Sequence, residues 1–202
     1  MIQEQLEQDI NKDIKFRKEI GKLMNYKLGY SFGRGLTVGE KGYQEVEQIL
    51  KSLPMTHDVV DLQDDAEYQK KDVDFIWKIN NNGKIGDVLC ELKTDMWTHK
   101  TGNLFLETDS CLEKGTKGCF IYSACDWFLY YIYETKELVM LPMKRFREWV
   151  LSNEHRWSTR LAKSSEGVMG LTYHSRGFLV PLEVVREEFE GMYQVKGMRK
   201  AS

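Results

Sequence analysis

Proline is scarce in this chain, three in 202 residues, and no stretch is rich in glycine, serine or charge of one sign. Those absences exclude a fibrous repeat and a long disordered linker, and 42% hydrophobic with 30% charged residues is the balance of a globular domain. No apolar run approaches the roughly 20 residues that a membrane span needs. The opening MIQEQLEQDI lacks the basic-then-apolar layout of a secretion signal, so a soluble, cytoplasmic protein without membrane contact is expected. Cys90, Cys111, Cys119 and Cys125 form no C-x-x-C pair, which argues against a zinc knuckle or a thioredoxin-like redox pair and for reduced, mostly buried thiols. His57, His155 and His174 stand alone in sequence, and no role is assigned to them. An excess of one charge is also missing: 29 basic against 31 acidic residues give −2. A globally basic nucleic-acid coat is therefore excluded, and a polyanion would have to meet a local patch.

What is present begins with an amphipathic stretch over residues 3–24, apolar at Leu6, Ile10, Ile14, Phe16, Ile20, Leu23 and Met24. The helical spacing needs a surface to pack on, either the protein's own core or a second copy. Glycines at 29, 33 and 35 mark a flexible connection, so residues 1–36 read as an N-terminal helical extension and 37–202 as the main domain, with its core at 37–150. A helix is expected from Thr37, with Val46, Ile49, Leu50 and Leu53 on one face and Pro54 as its stop. A short strand over 57–62 and a polar loop over 64–68 should follow.

Residues 72–79 largely alternate, with Val73, Phe75, Trp77 and Ile79 against Asp72, Asp74, Ile76 and Lys78, and residues 85–93 alternate in turn. Between them Asn82-Gly83 supplies the pair that best specifies a two-residue hairpin, because both positions accept positive φ. If those two form the loop, opposite residues have numbers that sum to 165: Asp74 faces Glu91 and Asp72 faces Lys93. Cross-strand Cβ atoms lie about 4.5–5.5 Å apart, so like charges placed there destabilise the ribbon unless something neutralises them. Either this is a solvated face where Lys93 pairs with a carboxylate, or a divalent cation sits there. All-oxygen donors suit Mg²⁺ or Mn²⁺ better than zinc.

Asp74 followed by Glu91-Leu92-Lys93, with apolar Leu92 pointing into the core, resembles the signature of the PD-(D/E)XK nuclease superfamily, although Val73 stands where a proline is usual. The segments Thr101-Gly-Asn-Leu-Phe-Leu-Glu107 and residues 118–131 are similar to a T-G-N-x-x-x-E element, a glycine-led strand and an A-D-aromatic run of uncharacterised phage and bacterial nuclease-like proteins. The resemblance spans about residues 37–150. It implies an α/β, restriction-endonuclease-like core: a central mixed β-sheet flanked by the 37–52 helix on one side and the 143–152 helix on the other.

For function the resemblance implies a Mg²⁺- or Mn²⁺-dependent nuclease, most plainly a DNA endonuclease in the cytoplasm of a prokaryotic or phage-infected cell. Asp74, Glu91 and the main-chain carbonyl of Leu92 would hold metal, and Lys93 would orient or help deprotonate the attacking water. Glu45 would face the site from the preceding helix. Glu107 would ligate a second metal, back up the first, or serve as a surface ion-pairing residue. His99 and Lys100, in the loop that leaves the E-x-K strand, are candidate phosphate contacts. The alternatives are a catalytically silent nucleic-acid- or protein-binding module, and an RNase or branched-DNA resolvase; a double-strand cutter or resolvase would act as a homodimer.

Downstream, the aromatic run 127–133 reads as a buried central strand, and residues 138–143 as its hairpin partner. Lys144, Arg145 and Arg147, and separately Lys114 and Lys117, are candidate basic patches or simply solvated faces. Residues 164–167 read as a loop, and 176–185 as a strand entering a helix.

Overall fold

Asn82 and Gly83 both have positive φ, 51° and 84°, as the mirror-image turn requires. The Asn80 side chain accepts from the Gly83 N–H at 2.8 Å. The turn joins β2 (Phe75–Asn81) to β3 (Lys84–Asp95), and the ladder runs from Asn81↔Lys84 to Phe75↔Cys90 with every pair in the expected register. These elements belong to a computed structural model that describes residues 32–166, 171–189 and 194–196. The amphipathic stretch 3–24 lies outside the described residues.

The hairpin sits in a six-stranded sheet ordered β1-β2-β3-β6-β7-β10, with β1 (Thr56–Asp61), β6 (Trp127–Ile132), β7 (Glu137–Pro142) and β10 (Gln194–Lys196). Only β3 and β6 run parallel, so the sheet is mixed. The aromatic run forms β6, an inner strand buried on both faces.

Alternation sorts the sheet's side chains into two cores. On one face Phe75, Trp77, Cys90, Leu129 and Tyr131 pack under helix α1 (Phe32–Ser52) through Tyr43, Val46 and Leu50. The helix begins at Phe32 rather than Thr37, so it runs through Gly33 and Gly35. On the other face Phe128, Tyr130 and Ile132 pack against Leu104, Leu106, Phe146, Val150 and Val180. Phe146 and Val150 come from α5 (Met143–Ser152), so the two helices expected to flank the sheet do lie on opposite faces.

Leu104, Leu106 and Val180 belong to a second sheet that the sequence pattern did not suggest. It has four strands ordered β5-β4-β9-β8: β4 (Asn103–Cys111), β5 (Thr116–Lys117), β8 (Ser158–Glu166) and β9 (Leu171–Pro181). Its central β4–β9 pairing joins residues more than 60 positions apart, for example Glu107↔Gly177, and no local signal specifies such partners. β8 reaches Glu166, so the expected 164–167 loop is strand for most of its length. The expected loop over 64–68 also changes: Asp65 accepts from the N–H groups of Glu67 and Tyr68 and caps α2 (Ala66–Lys70). Residues after Gly118 form the short helix α4 (Cys119–Tyr122), not a strand. α6 (Leu182–Glu188) follows β9 as expected.

Helix α1 approaches the sheet most closely at Gly42, where an added Cβ would stand 2.3 Å from Thr94 Oγ1 and 3.1 Å from Thr94 Cβ. Rotating Thr94 cannot relieve the second contact. Gly42→Ala should therefore cost about 1–2 kcal/mol by overpacking, even though alanine favours a helix by about 1 kcal/mol. At Gly39 nothing lies within 4 Å of an added Cβ, and Gly39→Ala should raise stability by up to about 1 kcal/mol. Urea unfolding of the two variants checks the opposite signs.

Candidate metal centre

The site starts with the way α2 ends. Lys71 is its C-cap, and Asp72 follows with a left-handed φ of 55°. Asp72 N–H donates to Gln69 O and Val73 N–H to Tyr68 O, both at 3.2 Å. These two bonds, with Val73 and Tyr68 in the same apolar cluster, form the helix-ending motif that usually takes glycine at this position. An aspartate there tolerates strain for which glycine would show no cost. Neighbours hold the turn in place: Ser123 Oγ donates to Asp72 O at 2.7 Å and Ala124 N–H to Lys71 O at 2.9 Å.

The chain then enters β2 with a shift. Asp74 N–H donates to Cys90 O at 2.8 Å, one residue out of the 165 register, so the direct Asp74–Glu91 opposition expected from the sequence is bent at the mouth of the hairpin. The Asp74 carboxylate instead reaches along β3, where its Oδ2 accepts from Leu92 N–H at 2.9 Å, and it hydrogen-bonds the Glu91 carboxyl. Leu92 packs its side chain against the helix-covered core, as expected of the middle residue in E-x-K. Glu91 and Lys93 sit beside Phe128 and Tyr130 in the parallel β3–β6 ladder, on the face opposite Leu92. Just upstream, Asp126 fixes β3 by exchanging two bonds with Leu89, N–H to carboxylate at 2.9 Å and N–H to carbonyl at 2.8 Å.

The third wall is α4. Gly118 lies so close to β4 that an added Cβ would stand 2.3 Å from Glu107 O, and this approach brings Cys119 to the carboxylates. Arg147 of α5 locks the segment, donating from Nε to Phe120 O at 2.8 Å and from Nη2 to Ser123 O at 2.6 Å. As a result the donor atoms of Asp72, Glu91 and Cys119 all lie within 4.8 Å of one another. The Tyr122 hydroxyl hydrogen-bonds the Asp72 carboxylate, but Asp72 Oδ2 is buried without a partner. The all-oxygen donor set expected from the hairpin thus gains a sulfur.

Burial governs the electrostatics. It pushes the Asp74 carboxyl up to about 6, with the charge of Asp72 adding to it and the Leu92 bond opposing it. Burial raises Glu91 well above the usual range, helped by Asp74 and Asp72. Asp72 is raised too, by burial and by Glu107. For Lys93 burial disfavours the charged form, but the electrostatic pull of Cys119, Glu107, Asp95 and Glu91 outweighs it and leaves the ammonium more stable than in water. Because burial holds the Cys119 thiol protonated at neutral pH, the carboxylates carry that effect. None of the described ion pairs involves Lys93, so this is not a solvated face on which lysine and carboxylate pair.

Asp74 and Glu91 are in hydrogen-bond contact and Lys93 lies within electrostatic reach of Glu91, while Asp74 stands outside the three-donor group. Asp72 joins them, and the register had already placed it on this face. Cys119 and Tyr122 had no sequence signal, since a tertiary contact around Gly118 delivers them. Glu107 lies near enough for its charge to act on Asp72, Lys93 and Cys119, though outside the three-donor group. The β4–β9 register shifts between Glu107 and Asp109, and Asp109 pairs with Arg176 and Lys117.

Glu45 is not brought to the cluster. Its carboxylate accepts from Tyr131 Oη at 2.5 Å and from Lys136 Nζ at 2.8 Å, on the helix-covered face of the sheet. The helix crosses the side opposite Glu91 and Lys93, and that crossing determines where Glu45 can reach. His99 and Lys100 are exposed on α3 (Thr98–Thr101) at the end of β3, with Lys100 Nζ 5.5 Å from the ring centre of Trp97. Arg147, expected in a surface basic patch, is part-buried and committed to the carbonyls of α4.

A divalent cation fits this pocket: it would replace the proton between Asp74 and Glu91, satisfy the orphaned Asp72 oxygen, and relieve three crowded carboxyl groups. Because Asp74 and Glu91 hold protons in the folded state that the unfolded chain releases, stability of the metal-free protein should fall as pH rises from about 4 to above 6. Melting temperatures at pH 5 and pH 8 check the slope; Mg²⁺ should reverse it, and Asp74→Asn should flatten it. Asp72→Gly should raise the metal-free stability by about 1–2 kcal/mol, because it removes a left-handed β-carbon and a buried unpaired oxygen. The same variant should lose the Mg²⁺-linked rise in melting temperature, and a variant that is both less stable and still metal-responsive would contradict this account of Asp72.

No helix among the described residues is long and apolar enough to cross a membrane. No protein-family model matches the chain, and no curated protein or solved structure is a match to it.

Proposed function

We propose that this protein is a metal-dependent nuclease of the PD-(D/E)XK type, built on a restriction-endonuclease-like core and hydrolysing phosphodiester bonds in DNA. One observation carries the reading: Asp72, Asp74 and Glu91 crowd together with an orphaned buried oxygen, beside a lysine that none of them neutralises as an ion pair. A structural role explains this poorly, since buried like charges destabilise a fold unless a ligand compensates.

Asp74 and Glu91, joined by Asp72, are the residues that would hold Mg²⁺ or Mn²⁺. When bound, the ion supplies charge neutralisation at the phosphate and a water made acidic enough to ionise near neutral pH. Lys93 contributes as a cation. Its raised proton affinity makes it a donor that binds a non-bridging phosphate oxygen or orients the water, rather than a base that removes the water's proton. Leu92 N–H and Ser123 Oγ keep Asp74 and the Asp72 turn in place. At the exit of β3 the exposed Trp97, His99 and Lys100 offer an aromatic face and two donors to a passing strand.

A cleavage screen with Mg²⁺ and Mn²⁺ over single-stranded, duplex and branched DNA and RNA tests the reading. Lys93→Ala should lose cleavage by at least about 10²-fold while keeping the metal-linked rise in melting temperature. Glu45→Gln should leave cleavage within about 3-fold of the parent, because its partners are Tyr131 and Lys136. DNA affinity should strengthen when divalent metal is added, since the pocket is anionic without it. A metal-linked rise with no cleavage of any substrate would sink the nuclease and favour a silent binding module; neither rise nor cleavage would remove the metal centre as well.

A further inference from the structure

The sulfur in the pocket has chemistry that a Mg²⁺ or Mn²⁺ phosphodiesterase does not need. Hard cations such as Mg²⁺ prefer carboxylate, carbonyl and water oxygens, whereas thiolates select zinc and other thiophilic ions. Cys119 nevertheless shares one group with Asp72 and Glu91, each donor atom within 4.8 Å of the other two. A tetrahedral cation with bonds of about 2.0–2.3 Å holds its donors about 3.3–3.8 Å apart, so the set stands at most about 1–1.5 Å wider than a bound one.

Two further observations point to a ligand. Glu91 is more than nine-tenths buried, with 7% of its surface exposed, and its carboxyl hydrogen-bonds that of Asp74. Asp72 Oδ2 is buried with no hydrogen-bond partner although it sits in a polar pocket. The arrangement is also held from outside. Gly118 lets α4 approach β4, Arg147 ties the carbonyls of Phe120 and Ser123, and Ser123 in turn holds the Asp72 turn. Cys119 and Asp72, although 47 positions apart (119 − 72), are thereby fixed to the same support.

We propose that Asp72, Glu91 and Cys119 form a mixed carboxylate–thiolate site that takes a thiophilic divalent cation of the zinc class. Three protein donors leave a fourth position open to water, the coordination of a reactive zinc site and not of a closed structural one. As the sulfur–metal bond forms, the thiol proton passes to solvent and no oxidant or reductant is required. The inference rests on the reading of this pocket as a metal centre, and it deepens that reading by naming the class of cation. Glu91 belongs to both donor sets, so a zinc-class ion and a Mg²⁺ ion compete for it.

The probe is Co²⁺ added to the full-length, metal-free, reduced protein. A thiolate-to-cobalt charge-transfer band in the near ultraviolet is expected from the parent and from Cys111→Ser, whose sulfur belongs to a different neighbourhood beside Glu113. The band should vanish in Cys119→Ser and in Cys119→Ala. Zn²⁺ affinity, measured by competition with Co²⁺, should fall at least about 10-fold in Cys119→Ser, while its Mg²⁺-linked rise in melting temperature stays, which shows that the variant is folded with its carboxylates in place. No band in the parent, or a band that persists without Cys119 or follows Cys125 instead, overturns the proposal. Cleavage is not part of this readout: a cobalt band without cleavage defeats only the nuclease reading, and cleavage without a cobalt band defeats only this one.

Discussion

Three carboxyl groups, Glu91 buried and Asp72 and Asp74 half-buried, are packed against one another, and much of the surrounding structure serves to keep them there. Asp72, Asp74 and Glu91 each favour their protonated form because of burial, a cost that folding must offset elsewhere. The offset is visible around them. Leu92 N–H meets Asp74, Ser123 meets the backbone of Asp72, Asp126 clamps β3 at Leu89, and Arg147 fastens the segment that carries Ser123 and Cys119. Each bond is worth only about 1 kcal/mol, somewhat more where a charge takes part. Collectively they leave the carboxyl groups little room to move apart and escape each other.

The asymmetry of the central sheet decides which residues can join this group. One face is sealed by α1, whose Gly42 allows direct contact with Thr94. That face holds Leu92 and Tyr131, and Glu45 remains on it, paired to Tyr131 and Lys136. The other face meets a second sheet, and a sheet-on-sheet junction leaves irregular space at its margins where strands end and short helices begin. Glu91 and Lys93 open onto that margin, and α4 fills its far side. Polar chemistry is thus confined to the face where packing is least continuous, and a helix-borne carboxylate from the sealed face is excluded by the thickness of the sheet.

What could be read from the sequence follows the range of the interactions. The β2–β3 hairpin was legible to the residue because Asn82-Gly83 is a local signal and a two-residue turn sets every pair after it. The register then put Asp72, Asp74, Glu91 and Lys93 on one face without any knowledge of the rest. It failed only where the ladder stops, since the shift at Asp74 comes from the helix-ending turn before it. That turn was hidden because glycine, its usual mark, is replaced by Asp72. The second sheet was out of reach for a different reason: the β4–β9 partners that join its two halves are far apart in sequence, and Cys119 enters the pocket through the packing of Gly118 on β4. Arg147 looked like surface charge because nothing in its helix reveals that the carbonyls of Phe120 and Ser123 lie within its reach.

The near balance of charge takes on a different meaning once the atoms are placed. Of 31 acidic residues against 29 basic ones, Asp72, Asp74 and Glu91 share one pocket in which each takes up a proton more readily than a carboxylate in water. The metal-free protein near pH 5 is therefore less negative at that point than a count of carboxylates implies, and it becomes more negative as pH rises. A phosphate backbone approaching it meets Lys93 among groups whose charge depends on what else is bound. On the proposed reading a divalent cation would displace protons, add its own charge and leave Lys93 as a cation, so one binding event would change the pocket from repelling a polyanion to attracting it. The same carboxylates that destabilise the empty fold would thereby become the means by which it is made ready for an anionic partner.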